Sequence, residues 1–119
     1  MLILIAHGSR DARWRESLES LTRAVQSSSP EDEVRLAFMQ FSGPTLAEVV
    51  EEGWRMGIRT FRLLPLFMAT AGHVDKDIRP LVGELAQRFP GVTLDLLTPV
   101  GENPLFHELV KSIANNDRS

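Results

Sequence analysis

Two histidines, His7 in "HGSRD" and His73 in "ATAGHVDKD", are the side chains of this sequence best suited to chemistry. Neutral imidazole accepts a proton near pH 7 and ligates borderline divalent ions. The 119 residues hold three histidines and no cysteine, so a thiolate nucleophile, a thiolate metal site and a disulfide are excluded. Any metal must be held by imidazole, carboxylate, amide or backbone oxygen. Gly8 and Gly72 lie beside the two histidines and allow positive φ and close backbone approach. Ala69, Thr70 and Ala71 are small and leave room for a flat or bulky ligand. Arg10, Arg13, Lys76 and Arg79 lie in or next to the same segments and are suited to hold substrate carboxylates. For any one of them a surface charge near a helix start is the ordinary reading, just as Ser9 or Asp11 is ordinarily an N-cap. Glu102 is a further carboxylate on a loop. His107 falls on the polar side of the last helix and reads as solvated surface.

These side chains matter only if the fold gathers them. "LILIA" (Leu2 to Ala6) is a continuous apolar run, the pattern of a strand buried on both faces. A helical stripe of Trp14, Leu18, Leu21 and Val25 follows, and "SSSPED" ends it. "VRLAFM" (Val34 to Met39) is a second strand. "SGP" (Ser42 to Pro44) opens a second helix with Leu46, Val49, Val50, Gly53 and Trp54 inward, and Gly57 closes it. "TFRLLPLF" (Thr60 to Phe67) is a third strand. A third helix beginning at Asp75 or Asp77 carries Ile78, Leu81, Val82, Leu85 and Phe89. "VTLDLL" (Val92 to Leu97) is a fourth strand. After the turn-rich "PVGENP", a last helix carries Leu105, Phe106, Leu109, Val110 and Ile113.

Four strand–helix units in strict alternation predict a single α/β domain over residues 1–119, a four-stranded parallel sheet with helices on both faces. Arg35 and Asp95 mark the second and fourth strands as edges, and the wholly apolar first strand is central. The strand order 2-1-3-4 satisfies both. Ligands of such sheets bind beyond the carboxyl ends of the strands where the order reverses. That point lies between the first and third strands, the two that His7 and His73 follow. One histidine past a strand is an ordinary surface residue. Two at the switch point suit Co²⁺, Ni²⁺ or Fe²⁺ with open coordination positions.

Other chemistries lack their signatures. No G-x-G-x-x-G or G-K-[ST] spacing is present to cradle phosphates, and no G-x-S-x-G elbow presents a nucleophilic serine. A net charge of −3 argues against nucleic acid or acidic membrane surfaces as partners. The N-terminal apolar run lacks a basic flank and is too short for a signal peptide or a membrane span. The expectation is a cytoplasmic protein.

"HGSRD" after an opening strand, "AFMQFSGPTL" (Ala37 to Leu46) and "PLFMATAGHVDKDI" (Pro65 to Ile78) together resemble the class II tetrapyrrole chelatases. Within them the chain is most similar to the short CbiX-type sirohydrochlorin cobaltochelatases, relatives of the sirohydrochlorin ferrochelatases. The motifs span the first two thirds of the chain, and the strand–helix order extends the likeness over nearly all of it. The resemblance implies ATP-independent insertion of Co²⁺ or Fe²⁺ into a sirohydrochlorin-type macrocycle, with the metal as substrate and no prosthetic group. It implies that His7 and His73 handle the metal and remove protons, and that short members pair as homodimers. Ser9, Arg10, Gln40, Gly72 and Arg79 would contact the substrate. Where the family usually carries a glutamate, this chain has Gln40, whose amide ligates without charge and cannot take up a pyrrole proton. Arg79 stands where a proline commonly follows "DI". The alternative is a non-catalytic homologue that binds metal or tetrapyrrole.

Overall fold

A computed structural model describes residues 1–69, 72 and 74–116. Its centre is β1 (Leu2–Ala6), with Ile3, Leu4, Ile5 and Ala6 all buried. It pairs in parallel with β2 (Val34–Phe38) on one side and β3 (Thr60–Pro65) on the other. β4 (Thr93–Leu96) extends the sheet from β3, so the order is β2-β1-β3-β4, as the sequence pattern predicts. The edge charges behave as edge residues should. Arg35 pairs with Glu33 at 3.0 Å and Glu52 at 3.4 Å, and Asp95 is exposed.

The two sheet faces are covered differently. Helix α1 (Ala12–Ser28) lies on the face that carries Phe38, where the Trp14 ring packs 5.7 Å from the Phe38 ring. The opposite face carries Ile3, Ile5, Phe61 and Leu63, and holds the main core with Val49 and Val50 of α2 (Leu46–Arg55) and Leu85 of α3 (Arg79–Arg88). Gly53 lets α2 approach the sheet, since a Cβ there would lie 2.7 Å from the Phe61 ring. The fourth helix, α4 (Pro104–Asn116), buries none of its residues. Leu105 is 77 % exposed, and Leu109, Val110 and Ile113 are exposed with it. The apolar positions that the periodicity picks out in α4 are real, but this chain alone leaves them uncovered. The molecule is accordingly elongated, 54 × 32 × 28 Å.

Two helix starts differ from the sequence expectation. Helix α2 begins after "SGP", at Leu46, because Thr45 caps it. The Thr45 hydroxyl accepts from the Glu48 N–H at 3.2 Å, and the Glu48 carboxylate accepts from the Thr45 N–H at 3.0 Å. Helix α3 begins at Arg79 and follows a wide π-helical turn, Val74–Ile78. Pro80 has no N–H to give a carbonyl four residues earlier, so it belongs in a first turn and not inside a helix starting at Asp75. The loop before α4 folds into a 3₁₀ turn, Val100–Glu102, whose Gly101 lies against the Met68 backbone where a Cβ would collide. No helix among the described residues is long and apolar enough to cross a membrane.

Candidate active site

The carboxyl ends of β1 and β2 are tied together beyond the strands themselves. Met39 donates its N–H to Ala6 O and Gln40 donates its N–H to His7 O, both at 2.9 Å. Gly8 follows with φ +110°, and a Cβ at this position would fall on the Gln40 carbonyl. Glycine is therefore required here by two independent constraints, conformation and space. Ser42 adds a hydroxyl hydrogen bond to Ser9 O at 3.1 Å. Across β1 on the other side, the His7 ring stacks on Phe67 with centroids 4.1 Å apart and planes inclined by 29°. Phe67 itself is buried, so His7 has a firm apolar wall beneath it.

His7, Met39, Gln40 and Asp77 line a cleft of about 270 Å³ at this edge. It lies at the switch point of the strand order, where the sheet topology directs a ligand. Gln40 is exposed and held by its backbone. Asp77, from the π-helical turn, supplies a carboxylate to the same space. Sequence reasoning treated Asp77 only as a helix start. The signal was present, since Asp77 stands four residues past His73, within the same segment leaving β3.

The remaining predicted residues separate into two groups. Ser9 accepts from the Asp11 N–H at 3.0 Å, and Asp11 caps α1 by accepting from the Arg13 N–H at 2.9 Å. The Arg13 side chain and N–H together hold the Asp11 carboxyl below its usual range. Ser9, Asp11 and Arg13 thus build the start of α1. Arg10 instead lies over the Phe41 ring, 5.0 Å from its centroid. Arg79 pairs with Asp75 at 2.8 Å, both side chains exposed. Gly72 has φ +82° and accepts the Lys76 N–H at 2.8 Å, which closes the turn. Glu102 sits in the 3₁₀ turn at the same sheet edge. His73, the second expected ligand, lies outside the described residues, as do Thr70 and Ala71. Among the described residues no three His, Asp or Glu side chains group to hold a metal. His107 is more than solvated surface: its Nε2 lies 2.9 Å from Gly101 O and ties α4 to the preceding turn.

Comparison with known proteins agrees over nearly all of the chain. A family model described as CbiX matches residues 1–116. A sirohydrochlorin cobaltochelatase of Methanocaldococcus jannaschii is 32% identical over 82 residues, 69% of this chain and 57% of that protein. The match therefore spans little more than half the length of that relative. The crystal structure of a CbiX protein from Marinobacter aquaeolei superposes with TM-score 0.86 at 33% identity, covering 98% of this chain and 93% of the other. The sirohydrochlorin chelatase SirB of Bacillus subtilis subspecies spizizenii, solved in complex with cobalt, shares the fold with TM-score 0.82 at 21% identity. It covers 98% of this chain and 49% of SirB.

Proposed function

This chain belongs to the CbiX family, and from that membership we propose that it inserts a divalent metal ion, Co²⁺ or Fe²⁺, into a sirohydrochlorin-type tetrapyrrole without ATP. The observation that carries the reading is the cleft at the switch point, where imidazole, amide and carboxylate from three different segments meet. The activity named for the Methanocaldococcus jannaschii relative and the cobalt complex of SirB support cobalt as the ion. As the ion enters, two inner N–H bonds break, the ring nitrogens bond the metal and two protons leave. His7 and His73 exchange the ion and take up protons. Asp77 adds the negative charge that Gln40 does not supply. Arg10 and Arg79 steer the acidic side chains of the substrate, with Ser9 and Gly72 shaping the loops that receive it. The catalytic unit is the single domain of residues 1–119, working in the cytoplasm.

The active form is a homodimer. A cleft of about 270 Å³ is smaller than the ~300–1,000 Å³ of pockets that enclose whole ligands. SirB has about twice the matched length in one chain, and a second copy of this chain would provide the same amount of structure. The uncovered stripe of α4 supplies apolar surface for such pairing.

The test is to mix the purified protein with metal-free sirohydrochlorin and Co²⁺ and follow the absorbance change of chelation. Turnover well above the uncatalysed rate is expected. Gln40 favours one other reading, a protein that binds metal and macrocycle without joining them. Stoichiometric binding of both with no acceleration would decide for that reading.

A further inference from the structure

Phe41 is the one described non-glycine residue with positive φ, at +64°. A phenylalanine in the left-handed region pays a steric cost that glycine or asparagine largely avoids. The ring gains no burial in exchange, being 61 % exposed. A backbone outlier that presents an apolar ring to water is the kind of feature from which function is inferred. Its neighbours define what it faces. Phe41 directly follows Gln40, which lines the cleft and whose backbone is bonded to His7. Arg10 lies over the ring at 5.0 Å, an arrangement attractive to both groups. Met68, just past β3, is 64 % exposed. Because β1 runs between β2 and β3, Phe41 and Met68 flank His7 at one edge of the sheet.

We propose that Phe41 is a stacking platform that takes the flat face of the macrocycle and, with Met68 on the far side, sets its metal-free centre over His7. Arg10 holds the Phe41 ring and offers its guanidinium to carboxylates on the macrocycle rim. This rests on reading the cleft as a tetrapyrrole site. Phe41 is a positioning residue: it sets where the ring lies and leaves the metal and the protons to the cleft.

The experiment compares wild type, Phe41→Asn and Phe41→Trp by thermal melting, by titration with metal-free sirohydrochlorin, and by steady-state kinetics with Co²⁺. Asparagine tolerates the left-handed backbone, so Phe41→Asn should melt no lower than wild type. It should nevertheless bind the macrocycle about tenfold more weakly, with the loss in KM greater than in kcat. Phe41→Trp should retain affinity within about threefold. Wild type that binds while Phe41→Asn binds equally well overturns this inference alone. A melting temperature lowered in both variants marks a packing residue and overturns it as well. Wild type that binds no tetrapyrrole overturns the reading of the cleft together with the inference.

Discussion

Gln40 meets the cleft with an amide where the resemblance leads one to expect a carboxylate. Its backbone N–H is bonded to His7 O, so a change of side chain leaves its attachment intact. Gln40→Glu should fold as wild type does and bind a divalent ion about tenfold more tightly, through added charge beside the ion. Isothermal titration with Co²⁺ measures this. Unchanged affinity would remove position 40 from the metal site. His73→Ala should lose metal binding and chelation together. If it inserts metal like wild type, His73 is an ordinary loop histidine. Gly8 gives the opposite kind of prediction. Both its φ of +110° and the Gln40 carbonyl exclude a side chain, so Gly8→Ala should cost about 2 kcal/mol or more in denaturant unfolding.

At the scale of elements, strand order was legible chiefly in the purely apolar β1, which takes the centre, while Arg35 and Asp95 agree with edge positions. Charge alone would not have decided it, because the interior strand β3 carries Arg62, which reaches out to Asp32. The place of His7 in the cleft was legible because topology alone carries the end of β1 to the switch point. The place of Asp77 in the cleft and the left-handed backbone of Phe41 were not, because one depends on the width of a turn and the other on the sign of a single φ angle. The start of α2, expected at "SGP", is set instead by Thr45 and Glu48, which have the spacing of a capping box. Its contribution is measurable. Thr45→Ala should destabilise the protein by about 1 kcal/mol. The backbone hydrogen bond from Thr45, and then its side chain, hold the Glu48 carboxyl below its usual value. A depressed folded pKa stabilises above the unfolded pKa, and that contribution is lost as pH falls through the folded value. Glu48→Gln should therefore melt below wild type at neutral pH, and the two melting curves should converge in acid, once pH has fallen through the depressed folded value below the usual glutamate range. A difference that persists in acid would show that the carboxylate charge is not what the cap uses.

At the scale of the whole molecule, helix α4 stays unburied and leaves Leu105, Leu109, Val110 and Ile113 exposed, apolar surface that a second copy would cover in the proposed dimer. Replacing Leu105 and Leu109 together by glutamate should convert dimer to monomer in sedimentation equilibrium without loss of the monomer fold, since neither residue is buried. A dimer that survives this change would place the contact elsewhere. The uncovered helix also has a kinetic consequence. If a chain must meet its twin to enclose the macrocycle, the rate is set by encounters between protein molecules as well as by substrate. Dilution below the dimer dissociation constant should then make the initial rate rise with the square of protein concentration, and concentrated protein should return it to first order. Covalent tandem linkage of two copies would abolish the quadratic regime, and a chain that carries both halves would keep its specific activity at any dilution.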